Sequence, residues 1–396
     1  MNIFQLIPKL YFNDHSINNL THELKSQDFN HVFLVCSNAG FNSQAFTDTI
    51  QILKQLKADY FVYQLSNNYV SAEEIYEASI LFKNKKANLI IVIGSNVAID
   101  FAKVLSIYTP NKSIHHSVWH FMQDPGVIHF TAYPIVAIPI NFAIGSCSNG
   151  LSIVYNDEMK IAQGVISYTS TPKVVIFDVN YLKTIPEVQL KQYLLYCILD
   201  TINCILNDYD NKNLWTINYN YANLLSVMRA TITLMHDINN QESWDILMLQ
   251  AYFNGGNLNK FSLKYPYDLL SLFLGMNPYL HADYVSLINT LFFVYCKHKI
   301  NLDPQFKENF RTLMVKLFNK DTYEITILQQ YLNQIVGDLN LSIKIEDEKI
   351  ANKMIEQGIV QYQKNYLDVI DTNKQSYNDE LNKTTVLFTK IVYEFI

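Results

Sequence analysis

The chain has 396 residues, which is more than one hydrophobic core usually organises, so two domains are expected. Hydrophobic residues make up 49% of it. Even so, no apolar run approaches the length of a membrane span, and the N-terminus lacks the pattern of a secretory signal. We therefore expect a cytoplasmic protein with no membrane partner. The net charge of -6 comes without a basic stripe, which argues against a nucleic-acid partner.

The first half of the chain alternates short β-rich runs with amphipathic helical runs. The pattern predicts strands over 31–36, 59–65 and 88–94, and helices over 43–57, 71–85 and 97–108. Ser71 and Glu74 have the spacing of a capping box at the start of one of these helices. Such alternation indicates βαβ units and a mostly parallel sheet, in which ligands bind at the carboxyl ends of the strands. The turn Gly94-Ser95-Asn96 is the best candidate for such a site.

Two further strands, over 135–140 and 173–178, bracket a predicted hairpin in residues 151–165. After Pro186 the chain changes to long apolar stretches at helical spacing, such as 190–207 and 283–297. The predicted fold class is α/β. A Rossmann-like domain, residues 1–184, is followed by an all-helical domain, residues 185–396, with charged helices after about residue 345. The five cysteines lack paired spacing and are expected to be reduced, mostly buried thiols.

Several motifs occur in the order found in one family of enzymes. Gly94, Asp100 and Lys103 have the spacing of a GGGSxxDxxK segment. Pro139 and the pair Gly145-Ser146 match positions of a PTTAGTGSE segment. Framework matches follow at Lys160, Pro172, Ile176 and Asp178. Over roughly residues 1 to 300 the chain resembles a divergent member of the iron-containing alcohol dehydrogenase family, whose relatives include glycerol dehydrogenase and dehydroquinate synthase.

The resemblance implies that NAD or NADP binds at the carboxyl edge of the sheet. The residues implied to contact the cofactor are Gly94, Ser95, Asn96, Val97, Ser146 and Lys160. Two interpretations of the turn remain open, because Ser95, Asn96 and Val97 depart from the family pattern. Either these side chains form a modified phosphate cradle at a helix N-terminus, or the turn no longer binds phosphate. Cys36-Ser37-Asn38 stands where the family often has an aspartate for the adenosine side, which implies looser selectivity for NAD or loss of binding.

The same resemblance implies a divalent metal in the helical domain, either zinc or iron. Asp200 and Cys204 occupy the two positions of the family's DxxxH pattern and lie one helical turn apart. The family's AxxxAG pattern corresponds here to Ala251, Gly255 and Gly256, and counting forward from it places Asp268 at the third ligand position. Counting back from His281 instead places Tyr267 there. With His281 the set is Asp200, Cys204, Asp268 and His281, and its thiolate favours zinc. The alternative is a buried thiol and a structural histidine. His115, His116 and His120 are interpreted as part of a solvated loop.

The main functional hypothesis is an NAD(P)-linked oxidoreductase that acts on a small alcohol or aldehyde with an altered metal site. The alternative is a catalytically inactive relative that keeps the fold as a binding or interaction protein. Changes at several separate motifs favour the alternative, and Asp200 with His281 favours an enzyme. A third hypothesis, an enzyme acting on a different anionic substrate, is weakened by the presence of just two arginines, Arg229 and Arg311. The resemblance also allows a homodimer.

Overall fold

The computed structural model describes residues 8–26, 29–111, 117–123, 131–158, 161–207, 214–255 and 284–337, with isolated positions between 352 and 394. The chain divides into two compact units. The first unit consists of Met1–Pro186 and Trp244–Leu258, and the second of Glu187–Ser243 and Asn259–Ile396. The sequence instead predicts that all residues after 184 belong to the helical domain.

A parallel sheet organises the first unit. Its strands are β1 (Lys9–Asn13), β2 (His31–Cys36), β3 (Asp59–Gln64), β4 (Leu89–Gly94), β5 (Ile135–Pro139) and β8 (Val174–Asp178). All neighbouring pairs are parallel, in the order β1-β8-β5-β4-β2-β3. The remaining strands, β6 (Leu151–Asn156) and β7 (Ile161–Ile166), form the predicted antiparallel hairpin. The predicted fold class is confirmed.

Helices cover the sheet and explain the apolar composition of its central strands. Every residue of β4 and β5 is buried, as expected for strands with helices on both faces. The helices in this part of the chain are α1 (Asn19–Ser26), α2 (Asn38–Phe41), α3 (Gln44–Gln55), α4 (Ala72–Asn84), α5 (Asn96–Asn111), α6 (Val118–Gln123) and α7 (Val179–Leu182). The long helices begin within two residues of their predicted starts, because side chains such as Ser43 and Ser71 cap them.

The predicted capping box at α4 is formed only in part. Ser71 Oγ accepts the Glu74 N–H at 3.1 Å, as the motif predicts. The Glu74 carboxylate instead accepts the N–H and hydroxyl of Ser66, at 2.7 and 2.8 Å, and the amide of Asn67 at 3.1 Å. Glu74 therefore fixes the loop that precedes the helix, which the local motif does not reveal.

The regular elements of the second unit are all helices in the part that the structure describes. They are α8 (Glu187–Leu206), α9 (Leu214–His236), α11 (Tyr284–Leu302), α12 (Pro304–Phe318) and α13 (Ile325–Val336), whereas α10 (Gln241–Gly255) belongs mainly to the first unit. Amide side chains link them: Asn289 donates to Gln192 O at 3.0 Å, and Asn309 donates to Leu206 O at 3.1 Å. None of the described helices has the length and hydropathy needed to cross a bilayer.

One buried carboxylate joins the edge strand β1 to α1. Glu23 is 2% exposed and accepts hydrogen bonds from Lys9 Nζ and Tyr11 OH, both at 2.6 Å. Burial alone would raise the pKa of Glu23, but the hydrogen bonds from Lys9 and Tyr11 outweigh it and hold this pKa below its usual value. The ionised form of Glu23 therefore stabilises the fold.

We predict that Glu23→Gln lowers the free energy of unfolding by about 2 kcal/mol at neutral pH, because two charge-assisted hydrogen bonds are weakened. A carboxylate with a lowered pKa contributes stability above its unfolded-state pKa and loses it as the pH falls through the folded-state pKa. The difference from wild type should therefore shrink below about pH 4.5. Urea unfolding followed by circular dichroism measures it, with the exposed Glu77→Gln as control. A difference that stays constant with pH would contradict this account.

Candidate functional site

Two tight turns pack against each other at the carboxyl edge of the sheet. A Cβ atom on Gly94 would lie 2.7 Å from Ala98 Cβ and 2.8 Å from Ser37 Oγ. A Cβ atom on Gly40 would lie only 2.2 Å from Ile93 O. The Ser37 N–H donates to the same carbonyl at 3.2 Å. Glycine is therefore required at both positions for the β2–α2 turn to fit against the β4–α5 turn.

The start of α5 carries backbone donors without a helical acceptor. The first helical hydrogen bond runs from Ile99 N–H to Ser95 O at 3.2 Å, so the N–H groups of Asn96, Val97 and Ala98 precede it. Within the described residues these three N–H groups have no hydrogen-bond acceptor, and the Asn96 side-chain amide has no hydrogen-bond partner. Asn96 is 5% exposed, and Val97 is partly exposed. The helix dipole adds partial positive charge at this position, which favours an anion.

A buried lysine lies two turns further along α5. The Lys103 side chain is fully buried, and its ammonium donates to Asp100 Oδ1 at 3.0 Å and to Ser146 Oγ at 2.9 Å. It also contacts Asn149 Oδ1 at 3.2 Å and Leu151 O at 2.7 Å. The Ser146 hydroxyl donates to Asp100 Oδ1. Ser146, predicted to line the cofactor cleft, thus directs its hydroxyl to this ion pair.

The hydrogen-bond partners of the Asp100–Lys103 pair favour its charged forms. Burial raises the pKa of Asp100 and lowers the pKa of Lys103, since each charge has lost its water. The attraction between the two groups opposes both effects. Asn149 Oδ1 and Leu151 O are obligate acceptors, and a lysine ammonium has three N–H donors to offer them.

The segment that follows β5 also contacts the first-unit part of α10. The rings of Phe142 and Trp244 stack with centroids 5.9 Å apart, and both side chains are fully buried. Ser148 Oγ donates to Tyr252 O at 2.5 Å. At its start, Ile140 N–H donates to Gly94 O at 3.2 Å. The segment therefore leaves the sheet beside the Gly94 turn.

The end of β2 presents polar, uncharged side chains. Asn38 is exposed, and its Oδ1 accepts from Gln64 Nε2 at 2.7 Å. Ser37 Oγ caps α2 by accepting from the Gly40 N–H at 3.0 Å. No carboxylate occurs between residues 36 and 41. The end of β2 therefore contributes no negative charge that would repel an additional phosphate group.

The predicted metal helix is α8, which carries Asp200 and Cys204 on successive turns. Asp200 is 7% exposed and Cys204 is 4% exposed. Burial raises the pKa of Tyr219 on α9, and the nearby Cys204 raises it further. Zinc sites usually have roughly four ligands. The described residues contain no group of three or more potential ligands, so the metal site is not assembled from them.

Several sequence predictions fall outside the described residues. These are Lys160, Tyr267, Asp268, His281, His115 and His116. His120 is described, and it is exposed on the short helix α6 rather than in a loop. Asp178, predicted as a framework match, caps α7 and also accepts the Ile17 N–H at 3.2 Å.

Sequence reasoning missed the partners of Lys103. Asn149 and the Leu151 carbonyl carried no motif, and a lysine on a helix is usually solvated. The one available signal was the apolar run that surrounds Lys103 in α5.

Residues 8–179 match the family model described as iron-containing alcohol dehydrogenase. The predicted resemblance to that family is confirmed. Solved structures with this fold include NADH-dependent butanol dehydrogenase A from Thermotoga maritima, at 16% identity and a TM-score of 0.76 over 97% of this chain and 98% of that one. An alcohol dehydrogenase from Oenococcus oeni matches at 17% identity and a TM-score of 0.75 over the whole of both chains.

A 1,3-propanediol oxidoreductase matches at 14% identity and a TM-score of 0.72, over 96% of this chain and 100% of that one. These likenesses establish the fold. The chain matches none of the curated proteins by sequence.

We predict that Gly40→Ala lowers the free energy of unfolding by about 2 kcal/mol, because the new methyl group displaces the Ile93 carbonyl from the turn. Gly164→Ala is the matched control, since the nearest atom to its new Cβ is Leu151 Cδ1 at 3.8 Å. The control should change stability by less than about 0.5 kcal/mol. Urea unfolding of both variants measures the difference. Equal effects at the two positions would show that the two turns are not closely packed.

Proposed function

We propose that this protein is an NAD(P)-linked oxidoreductase that acts on a small alcohol or aldehyde, with a metal site that departs from the family pattern. The observation that carries the proposal is the start of α5, where three N–H groups and the Asn96 amide have no partner among the described residues. These donors lie beside Gly94, at the carboxyl edge of a parallel sheet, where dinucleotides bind in related folds. The family model covers both turns of this edge.

The residues present fit the diphosphate of a dinucleotide. Backbone N–H groups at a helix N-terminus bind phosphate oxygens, and the Asn96 amide adds a donor that compensates for a missing glycine. Asn96 and Val97 are neutral and introduce no charge repulsion. When bound, a nicotinamide cofactor accepts hydride from an alcohol or returns it to an aldehyde. The contribution of the protein at this edge is to bind and orient the cofactor.

We predict that Val97→Asp weakens binding of NADPH and NADH while it slightly stabilises the helix. A carboxylate in the first turn of a helix interacts favourably with the dipole but repels a diphosphate. The dissociation constant should rise by at least about tenfold, a loss of about 1.4 kcal/mol. Isothermal titration calorimetry measures binding, and thermal unfolding measures stability.

Val97→Asn is the matched control, because it has nearly the same shape as Val97→Asp and carries no charge. It should bind the dinucleotide at close to wild-type affinity. If the two variants bind equally well, no phosphate lies at the start of α5.

Selectivity between NAD and NADP should depend on the end of β2. Enzymes that select NAD use an acidic residue to bind the ribose 2′-hydroxyl, and this residue repels a 2′-phosphate. Asn38 has no such charge, so the proposal includes acceptance of NADPH as well as NADH. Asn38→Asp should lower the affinity for NADPH by at least about tenfold and preserve the affinity for NADH. Asn38→Ala is the control, and equal losses for both cofactors would refute the assignment.

The inactive relative is the second candidate, and Cys204 favours it. A 4% exposed cysteine replaces the histidine of the family's DxxxH pattern, and buried thiols are common in helix cores. Asp200 and Cys204 are the two predicted ligands that the structure describes, so the zinc or iron in the proposal rests on the family resemblance. Alcohol-dependent reduction of NAD(P) by protein loaded with zinc or iron separates the candidates. Cofactor binding without turnover on any small alcohol supports the inactive relative.

A further inference from the structure

Lys103 links α5 to a stretch of chain that is distant in sequence and that follows the residue bonded to the Gly94 turn. We call residues 142–151 the crossover segment, because they lead from the end of β5 to the start of β6. Lys103 reaches this segment at Ser146, Asn149 and the Leu151 carbonyl, with distances of 2.9, 3.2 and 2.7 Å. Every one of these partners lies at least 43 residues away along the chain. A single ammonium group therefore fixes one segment at three points.

The crossover segment needs such a link because the regular structure of its own backbone is a single short helix with weak internal hydrogen bonds. Most of it is a short 3-10 helix, Ala143–Ser148, with Gly145 at a φ of 74°. Helices of this type have poorer hydrogen-bond geometry than α-helices. Asn149 Oδ1 also accepts the Leu151 N–H at 3.0 Å, so one amide joins the Lys103 contacts to the start of β6.

The chain that leads into this segment borders the turn where we place the diphosphate. Ile140 N–H donates to Gly94 O just before the segment begins. The donors at the start of α5 belong to the helix that carries Asp100 and Lys103. If Lys103 lost its contacts, the donors would remain in place, and the crossover segment would keep its contacts with Trp244 and Tyr252 but lose its hydrogen bonds to α5.

We propose that Lys103 is a positioning residue for the cofactor site, where it holds the crossover segment against α5 so that a dinucleotide meets a preformed surface. Asp100 accepts hydrogen bonds from the Lys103 ammonium and from the Ser146 hydroxyl. This role rests on the proposed function in one respect, namely that the ligand is a dinucleotide. The ordering of the crossover segment is a property of the protein without ligand.

Stability and positioning are separated by comparing a single and a double variant. Lys103→Met leaves the Asp100 carboxylate buried without its partner, which is strongly destabilising. The double variant Asp100→Asn/Lys103→Met removes both charges, and such neutral replacements are often close to neutral for stability. Neither variant can hold Ser146, Asn149 and the Leu151 carbonyl through an ammonium group. A purely structural role predicts that the double variant recovers all properties, whereas a positioning role predicts that only stability recovers.

The experiment measures thermal unfolding, hydrogen–deuterium exchange and NADPH affinity on the full-length chain. The double variant should unfold near the wild-type temperature, and its amides in residues 145–151 should exchange at least about tenfold faster. Its dissociation constant for NADPH should rise about tenfold, as expected if the binding-competent arrangement falls to about a tenth of the population. Wild-type exchange and affinity in the double variant would overturn the proposal.

Two further variants serve as controls. Asn149→Ala removes one partner of Lys103 at a partly exposed position, so it preserves the fold and tests the link even if the double variant does not fold. Faster exchange in residues 145–148 supports the proposal, and unchanged exchange opposes it. Lys299→Met removes a different buried lysine, which donates to Tyr295 OH at 2.8 Å in the second unit, and should leave the crossover segment unaffected.

The exchange measurement also separates this inference from the proposed function. If wild-type protein binds neither NADPH nor NADH, the proposed function fails. The ordering role of Lys103 is still decided by the exchange rates without ligand.

Discussion

Parallel pairing of the strands is the constraint on which the first unit depends. It brings the carboxyl ends of β2, β4 and β5 to one edge, where the turns after them meet. The close fit at Gly40 and Gly94 then fixes the distance between two of these turns. As a consequence the start of α5 presents its N–H groups at the edge, and the segment after β5 begins beside it. The candidate site therefore follows directly from the sheet topology.

The strands and helices that could be predicted from the sequence are those whose pattern of apolar and polar residues follows from which of their faces are buried. The runs at 32–36 and 89–94 are continuously apolar because both faces of these strands are buried. Strand β1 was not predicted, because the sequence KLYFN is short and mixed, and its partner is the distant β8. Its position depends on contacts such as Glu23 with Lys9, which no local pattern encodes.

Motif matching located the candidate site better than it described the interactions there. The Gly94 turn was found because glycine, strand end and helix start occur together in the sequence. The inward direction of the Ser146 hydroxyl could not be foreseen, since it depends on the burial of Asp100 and Lys103. In the helical unit the motif supplied a candidate at Cys204, and its burial is compatible with either a ligand or a core thiol.

The central claim is that a dinucleotide places its diphosphate on the start of α5. Hydrogen–deuterium exchange of the wild-type protein with and without saturating NADPH tests this claim most directly. We predict slower exchange at the amides of residues 96–98 when the cofactor is present, because their N–H groups gain phosphate acceptors. Unchanged exchange at these amides would contradict the account, even if NADPH bound elsewhere on the protein.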